Sequence, residues 1–377
     1  MIKSKDHVRF VAHAHKILGI IDIAALIAFL AALAVACGLI PNQFFVLILV
    51  LVGPIFLLFI FLNIKTKWRA SVKNISLVVA NLIWLAVMTV FLITILQVNT
   101  TLDRLSDVAG CTENCASEVE LDKPMIIYIS GEDAFGDIDE RSRSDVNQIA
   151  VVSPTAHKIL LINTPRDYYV SLHNRGPLPD KLTHAGNFGV AESMGTLSDL
   201  YGIQIDKYMK VNFESLMKLV DILGGITVYS DLDFTDAHVK HHFVRGENVL
   251  DSKLALAFCR ERYAFDDGDR QRGKNQQKVI EAIFNKVKTT DALANYQKIL
   301  DALAQDLRTN MTGGDIKKTI QTIVKDQYTF ETVSVTGSGA MLPTYSYPGQ
   351  KLYVMVPDQA SVDAVKAKLV EYLQSDL

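Results

Sequence analysis

The chain has 377 residues, a formal net charge of -3 and a mean hydropathy of +0.20. This mean hydropathy is too high for an ordinary soluble protein. The excess of apolar residues lies almost entirely before residue 98. The small negative charge predicts no general attraction to nucleic acid. No zinc-finger spacing or basic helix-turn-helix pattern occurs, so no nucleic-acid partner is expected. The residues after 98 have an ordinary globular composition and suffice for one large domain with a substantial core.

The N-terminal part contains long apolar runs at roughly residues 17–40, 44–62 and 75–96. Each approaches or exceeds the ~20 residues that cross a bilayer core, and each is too long for a cleaved signal peptide. Lysine and arginine precede the first run and separate the second from the third, whereas the turn 41–43 is uncharged. By the positive-inside rule we predict a multi-pass anchor of three transmembrane helices in the cell membrane, with a cytoplasmic N-terminus.

One acidic residue, Asp22, lies near the inner end of the first run. A carboxylate at this depth needs a partner, and we expect a neighbouring helix or the membrane interface to supply it. A functional intramembrane carboxylate is the alternative.

The polar, acidic residues 98–123 show no apolar period and predict an extracellular linker. They separate an anchor of residues 1–97 from an extracellular domain of residues 124–377. A linker of about 25 residues reaches at most ~80 Å when fully extended. The domain therefore works close to the membrane, which favours a substrate held there.

The chain has four cysteines. Cys37 and Cys259 lie in apolar stretches and are predicted to be small core residues. Cys111 and Cys115 lie in the polar linker, where they form a local disulfide, stay as free thiols, or supply half of a metal site. The residue pattern leaves these alternatives open.

From residue 124 onward, strand-like and helix-like segments alternate. Predicted strands are MIIYIS, a hairpin of NQIAVVS and KILLINT, and later GITVYS and LYVMV. Predicted helices are GTLSDLYGI and NFESLMKLVDILGGI with glycine stops, then GKNQQKVIEAIFNKVK and QASVDAVKAKLVEYLQ. This order predicts an α/β or α+β sandwich in which helices cover a sheet.

Charged clusters stand at the ends of these apolar segments. They are GEDAFGDIDERSRSDVN with Asp133, Arg143 and Asp145, NTPRDYY with Arg166, PDKLTHAG with Lys181 and His184, and FCRERYAFDDGDRQRGKNQQ with Arg260, Arg262, Asp269, Arg270, Arg272 and Gln276. Arginine donates two parallel hydrogen bonds to phosphate oxygens, and helix N-termini attract anions. Carboxylates among them supply hard ligands for Mg²⁺. Converging arginines would form a diphosphate cradle, and the alternative is a set of solvated loop charges.

Other enzyme classes find less support in the sequence. His238, His241 and His242 suggest a metal site, but no adjacent motif supports one and an exposed loop is expected. His184 either touches substrate or has a structural role. No GxSxG or P-loop motif occurs, which disfavours a Ser-His-Asp hydrolase and an NTPase.

Five blocks in this order resemble the LytR-CpsA-Psr family of cell-envelope proteins: RSRSDVN, NTPRDYYV, DKLTHAGNFG, LVDILGGI and CRERYAFDDGDRQRGKNQQ. The resemblance covers about residues 126 to 285 strongly. It implies a Gram-positive transferase that moves a capsule or teichoic-acid type glycopolymer from a polyprenyl-pyrophosphate carrier onto a peptidoglycan acceptor. It also implies an α/β/α-type sandwich, a central mixed sheet covered by helices, with an apolar pocket for the lipid.

The resemblance also implies roles for individual residues. Mg²⁺ would lie at Asp133 and Asp145. The catalytic set would be Arg143, Arg166, Arg260, Arg262, Arg272 and Asp269, with Lys181, Arg270 and Gln276 binding substrate. Asp269 is the candidate general base and Asp133 the alternative. Some capsule-linked relatives carry an accessory domain where this chain has only its linker, which leaves the polymer open.

Two other functions share these residues. A pyrophosphatase would release the lipid carrier with water as the acceptor, and a membrane sensor would bind lipid-linked intermediates without turnover. The helices around Met194–Leu200 and Leu216–Leu223 have apolar faces that suit a lipid slot, and ordinary core packing is the alternative.

Overall fold

The structure is a computed structural model. It describes residues 2–36, 42–65, 72–108, 120, 123–132, 138, 141–266, 268–287, 307–312, 315–316, 318–319 and 328–374. The chain divides into two compact units, Met1–Thr100 and Thr101–Leu377. Cys37, Cys111, Cys115 and Asp133 lie outside the described residues, so the expectations for them stay predictions.

The N-terminal unit is helical, and its helices coincide with the apolar runs of the sequence. They are α1 (Ile2–Ala36), α2 (Asn42–Lys65) and α3 (Val72–Val108). Within the described ranges, one window, Ile17–Ala34, is long and apolar enough to cross a membrane, with a mean hydropathy of 2.6. The apolar stretches of α2 and α3, Ile48–Asn63 and Val78–Thr94, are shorter. Length and composition therefore support one span, where the sequence predicted three.

Aromatic side chains from all three helices pack together inside this unit. The rings of Phe29 and Phe56 lie 5.7 Å apart, and Phe56 meets Trp84 edge-on at 5.3 Å. Leu33 and Met88 complete the buried cluster. The packing shows that the three helices form a bundle with its own core.

A buried polar triad also joins the three helices. Asp22 Oδ2 accepts hydrogen bonds from Asn63 Nδ2 and from Asn81 Nδ2, both at 2.8 Å. All three side chains are buried, and each comes from a different helix. Neighbouring helices thus supply the expected partners through Oδ2, whereas Oδ1 is buried without a hydrogen-bond partner among the described residues. Because the surroundings are apolar, these bonds favour one register of the three helices.

We predict that Asp22→Ala destabilises the anchor by about 1–2 kcal/mol, because two buried amides lose their acceptor. The measurement is unfolding of the full chain by SDS, followed by the fluorescence of Trp84 in a Trp68→Phe background. Asp22→Asn keeps an oxygen acceptor and should lose less. Thr94→Ala, which removes a hydroxyl bonded only within its own helix, is the control. Unfolding of Asp22→Ala at the wild-type SDS fraction would contradict the role of the triad.

Helix α3 continues beyond the predicted start of the linker at residue 98 and ends at Val108. Residues 98–108 of the predicted linker are therefore helical, and the extracellular position of the linker stays a prediction.

The second unit contains all the strands. They are β1 (Met125–Glu132), β2 (Ser144–Ser153), β3 (Lys158–Asn163), β4 (Tyr169–Val170), β5 (Asp180–Lys181), β6 (Lys207–Val211), β7 (Ile226–Ser230), β8 (Phe234–Thr235), β9 (His242–Phe243), β10 (Gly246–Leu250), β11 (Leu307–Thr309), β12 (Thr329–Ser334), β13 (Gly337–Pro343) and β14 (Lys351–Pro357). The helices are α4 (Leu182–Ala185), α5 (Val190–Tyr201), α6 (Phe213–Ile222), α7 (Ser252–Arg260), α8 (Asp269–Val287) and α9 (Gln359–Gln374). Every predicted strand and helix of this unit is present.

The main sheet has six strands in the order β11-β6-β1-β2-β3-β12. β2 runs antiparallel to β1 and β3, which confirms the predicted hairpin, whereas β6 runs parallel to β1 and β12 parallel to β3. The sheet is therefore mixed. These directions bring the ends of β1, β3 and β6 and the start of β2 to one edge.

Alternating side chains give the sheet two apolar faces. One face carries Ile149, Val151 and Leu160 and packs against α5 and α9. The other carries Ile127 and Leu161 and packs with partly buried side chains of α8. A further cluster unites α6, α7 and α8 with β7 and β10. The result is the expected α/β/α sandwich.

Glycine ends two helices as the sequence predicts. Gly202 follows α5 at φ 69° and Gly224 follows α6 at φ 69°, in the left-handed region that glycine adopts without a steric penalty. At its start, α6 is capped by Asn212, whose side chain accepts from Ser215 N at 2.9 Å. This cap fixes α6 directly after the end of β6.

Candidate functional site

Charged residues from distant parts of the chain meet at the sheet edge described above. Asp145 is the second residue of β2, and Arg166 and Asp167 follow β3. Asp269 opens α8, and Arg272 lies one turn further on. Because the strand ends share one edge and α8 begins there, residues more than a hundred positions apart come into contact.

We call Asp145, Arg166, Asp167, Lys181, Asp269 and Arg272 the charge cluster. Arg166 Nη1 lies 2.8 Å from Asp145 Oδ1, and Arg166 Nε lies 3.8 Å from Asp167 Oδ2 and 4.0 Å from Asp269 Oδ1. Arg272 Nη2 is 2.5 Å from Asp269 Oδ1, and Lys181 Nζ is 2.9 Å from Asp167 Oδ1. Every side chain in the cluster is less than one-fifth exposed. Opposite charges thus alternate in a poorly solvated site.

Two polar atoms of the cluster lack a hydrogen-bond partner among the described residues. Arg166 Nε donates no hydrogen bond to a described residue, although the carboxylates of Asp167 and Asp269 lie 3.8 and 4.0 Å away. Asp269 Oδ1 has no aligned donor, although Arg272 is close. An unsatisfied buried N–H on a cation is costly, and an anionic oxygen would remove that cost. The arrangement suits a bound anion beside Arg166.

The electrostatics of the cluster follow from burial and from these pairs. Burial alone would lower the pKa of Arg166, but the carboxylates of Asp145 and Asp167 outweigh it and raise that pKa. Burial raises the pKa of Asp269 against the opposing effects of Arg272 and Arg166. Burial lowers the pKa of Arg272, from an ordinary value so high that the guanidinium stays charged at neutral pH. Asp269 is thus better suited than an ordinary aspartate to hold a proton.

An apolar cavity of about 220 Å³ opens beside the charge cluster. It lies between the sheet and α6, α7 and α8, and its lining includes Ile129, Met209, Leu216, Leu219, Val279 and Ile280. Its polar residues include Asp145, Arg260, Arg272 and Gln276. One site therefore joins a charged mouth to an apolar interior.

The structure settles which predicted helix lines this cavity. Leu216 and Leu219 of α6 do so, as one of the two apolar helix faces was expected to. The Met194–Leu200 face of α5 does not, because α5 packs on the opposite face of the sheet with Leu197 in that core. The two helices have similar apolar patterns, and only their positions on opposite faces of the sheet show which one lines the cavity.

The remaining arginines predicted for the site occupy different positions. Arg260 lies at the cavity, with its guanidinium 4.5 Å from the centre of the Phe213 ring. Arg262 stacks on Tyr263 at 4.8 Å. Arg270 is half-buried at the second residue of α8. Arg143 is exposed just before β2 and forms no ion pair with any described residue. The roles of these residues stay predictions.

The candidate histidines of the sequence lie outside the charge cluster, and His238, His241 and His242 are exposed as expected for a loop. His184 is buried, with Nδ1 2.6 Å from Asp180 Oδ1 and its ring beside Tyr347. Burial would raise the pKa of Asp180, but the hydrogen bonds from His184 and Ser346 lower it. No group of three potential ligands that could hold a metal ion occurs in the part of the chain that the structure describes, the trio 238, 241 and 242 included.

Cys259 lies at the cavity wall, close to Gln276, whose Nε2 is 3.5 Å from the Cys259 carbonyl. Burial raises the pKa of its thiol to about 12, so it stays a neutral thiol at ordinary pH. The expectation of a small apolar residue is confirmed.

Sequence reasoning missed three contributors. Thr183 Oγ1 donates to Asp145 Oδ1 at 3.0 Å, and Lys210 Nζ pairs with Glu132 Oε1 at 2.7 Å across the ends of β6 and β1. Glu261, between two predicted arginines, is fully buried and accepts backbone hydrogen bonds. Thr183 and Glu261 lie inside the charged motifs, but only the strand pairing brings Lys210 to Glu132.

The fold and site together define a protein with an α/β/α sandwich that presents buried arginines and carboxylates at the mouth of an apolar cavity. The profile of the LytR_cpsA_psr family matches residues 93–370. The chain belongs to the LytR-CpsA-Psr family.

Individual relatives agree with this assignment. The polyisoprenyl-teichoic acid–peptidoglycan teichoic acid transferase TagU of Bacillus cereus (strain AH820) is 29% identical over 69% of this chain and 83% of the relative. The Enterococcus faecalis protein of that name is 31% identical over 59% of this chain and 73% of the relative. The crystal structure of B. subtilis TagV matches with a TM-score of 0.55 and 26% identity, over 67% of this chain and 98% of that one.

We predict that Leu219→Trp obstructs the cavity and weakens binding of geranylgeranyl diphosphate about tenfold, because a tail that loses two buried methylenes loses ~0.8 kcal/mol for each. Affinity for inorganic pyrophosphate should not change, since the charged mouth is intact. Isothermal titration of the full chain in detergent measures both. Val249→Trp, at a position 77% exposed on β10, is the matched control. Equal affinities of wild type and Leu219→Trp for the lipid would contradict a tail site here.

Proposed function

We propose that the protein is a phosphotransferase that moves a glycopolymer of capsule or teichoic-acid type from a polyprenyl-pyrophosphate carrier onto peptidoglycan. The observation that carries this proposal is a buried, unsatisfied N–H of Arg166 beside Asp145, a carboxylate that lines the mouth of an apolar cavity. A ligand that fits both parts has an anionic head and a long apolar tail. The relatives named above, polyisoprenyl-teichoic acid–peptidoglycan teichoic acid transferases, support the same substrate class.

The cations at the mouth explain how a diphosphate would be held. Arg260 and Arg272 come from different helices and border the cavity, and Arg166 pairs with Asp145, which borders it too. Guanidinium groups stay charged and donate in a planar fork, so they neutralise phosphate oxygens from several directions. We propose Lys181, Gln276, Arg262, Arg270 and Arg143 as further contacts to the substrate.

We propose that Mg²⁺ binds beside this cradle, on Asp145 and Asp133. The donor chemistry of Asp145 fits, because its carboxylate borders the cavity mouth and is a hard oxygen ligand. Its Oδ1 already accepts from Arg166 and Thr183, which fixes the orientation of the carboxylate. A bound Mg²⁺ would supply additional neutralisation of phosphate charge.

The proposed chemistry is an in-line displacement at the phosphorus nearest the sugar. A hydroxyl of the peptidoglycan acceptor, the muramic acid 6-hydroxyl, forms the new P–O bond as its proton passes to Asp269. The bond from that phosphorus to the bridging oxygen breaks, and polyprenyl monophosphate leaves with that oxygen. Arg166, Arg272 and Arg260 stabilise the charge on the transferring group. The raised pKa of Asp269 suits a proton acceptor in this step.

We propose that α1, α2 and α3 anchor the chain in the cell membrane as three spans, with the N-terminus cytoplasmic and the catalytic domain outside. The span of α1, the buried triad and the placement of lysine and arginine around the apolar runs support this topology. A lipid-linked donor and a wall acceptor are both available at that face of the membrane.

The full chain in detergent, given a polyprenyl-diphosphate oligosaccharide, peptidoglycan fragments and Mg²⁺, should join sugar phosphate to the glycan and release polyprenyl monophosphate. Arg166→Ala should lower the rate by at least ~100-fold, since one such contact in a transition state is worth about 3–4 kcal/mol. Mass spectrometry follows both products. Arg141→Ala, at an exposed position before β2, is the control and should keep the wild-type rate.

The other outcomes separate the alternatives. Release of polyprenyl monophosphate with only free sugar phosphate would replace the transferase by a pyrophosphatase. Tight binding of the lipid without turnover would favour a sensing role. A wild-type rate for Arg166→Ala would contradict the site.

A further inference from the structure

Glu261 is a buried acidic residue at the C-terminal end of α7, between Arg260 and Arg262. Its side chain is 0% exposed. Oε1 accepts from Tyr263 N at 2.6 Å and from Ala264 N at 2.9 Å, and Oε2 accepts from Ala237 N at 2.5 Å. No lysine or arginine pairs with it among the residues that the structure describes. A buried carboxylate of this kind depends on the backbone that surrounds it.

These bonds determine the path of the chain between α7 and α8. After the two bonds to Glu261, Phe265 N donates to the Arg262 carbonyl and Gly268 N donates to the Phe265 carbonyl. Gly268 has φ 47°, and α8 begins at the next residue. The connection between the two helices is thus a series of turns whose first turn is fixed by Glu261.

The side chain of Arg262 depends on this turn. Its Nη2 donates to the Tyr263 hydroxyl at 2.7 Å, and its guanidinium stacks on that ring at 4.8 Å. The same turn leads into α8, because Phe265 N bonds to the Arg262 carbonyl and Arg272 N bonds to the Gly268 carbonyl. Because Glu261 holds the backbone N–H of Tyr263, it also holds the ring that supports Arg262.

We propose that Glu261 is a positioning residue that holds the turn carrying Arg262 beside the start of α8, where Asp269 and Arg272 of the diphosphate site lie. The inference rests on the proposed function for the identity of the ligand. Glu261 is buried and its carboxylate hydrogen-bonds to backbone N–H groups, so its effect on substrate passes through the turn that carries Arg262. A loss of Glu261 should therefore matter only while Arg262 is present.

Asp236 provides a matched control. It is also buried, and its carboxylate accepts from His238 N, Val239 N and His241 N at 2.7–3.1 Å. Glu261 reaches this same loop through Ala237 N. Asp236→Asn therefore weakens the histidine loop without removing an acceptor from Tyr263 or Ala264.

The test is a double-mutant cycle in the full chain, with the dissociation constant for geranylgeranyl diphosphate and the melting temperature as readouts. We expect Glu261→Ala to weaken binding about tenfold in the wild-type background and less than about twofold in an Arg262→Ala background, since coupled residues are non-additive. Glu261→Gln keeps an oxygen toward Tyr263 and Ala264 and should stay within about threefold of wild type. Asp236→Asn should change affinity less than about twofold in both backgrounds.

An equal loss from Glu261→Ala in both backgrounds, or no loss in either, would overturn the positioning role. If Glu261→Ala does not fold, Glu261→Met fills the same space without a strong acceptor, and the same outcomes apply to it. Binding is read without transfer. If the effect of Glu261→Ala on binding depends on Arg262 but the chain transfers no glycopolymer, the proposed function alone is overturned. If the chain is active but the effects of the two substitutions on binding are additive, the positioning role alone is overturned.

Discussion

The ion pair between Arg166 and Asp145 is the contact on which the rest of the site depends. It joins the start of β2 to the segment after β3, and Arg166 also lies between Asp167 and Asp269. Removing one partner from such a buried group leaves the others uncompensated, which costs more than the pair itself contributes. The antiparallel pairing of β2 and β3 makes the contact possible, because it brings the beginning of one strand beside the end of the other. The fold therefore creates the electrostatic site at an edge of its central sheet.

Burial gives this edge its chemical character. The cavity beside it is lined mainly by aliphatic side chains of the sheet and of α6 and α8, so the charges at its mouth act in a poorly solvated space. There, the unpaired N–H of Arg166 and the raised pKa of Asp269 have one physical origin, which is the loss of water around charged groups. An anionic head group with an apolar tail would satisfy the guanidinium and fill the cavity at once. Neither part of the site alone distinguishes such a ligand from free phosphate or from an ordinary lipid.

The sequence predicted much of this unit because its local signals are strong. The apolar strands, the glycine stops at Gly202 and Gly224 and the amphipathic α8 all lie where the pattern indicates. The arginines of the charged motifs were also predicted to be site residues, because guanidinium groups clustered where strands end suit the binding of phosphate. Apart from the β2–β3 hairpin, the sequence patterns did not predict which strands pair in the sheet or which side chains meet as a result. Only the folded arrangement shows that α6 and not α5 borders the cavity and that Lys210 meets Glu132. It also shows that Arg143 is exposed, whereas Arg272 is buried and the Arg166 side chain is 19% exposed. The polar composition after residue 98 also did not indicate that α3 continues to Val108.

The central claim is that a lipid diphosphate binds with its tail in the cavity under α6 and α8. The most direct test is photolabelling of the full chain with a polyprenyl-type diphosphate that carries a diazirine at the end of its tail, followed by peptide mapping. We expect labels on Leu216, Leu219, Ile280 or Ile283, and we expect excess geranylgeranyl diphosphate to remove them. Labels confined to α5 or to α1–α3, unaffected by the competitor, would contradict the account.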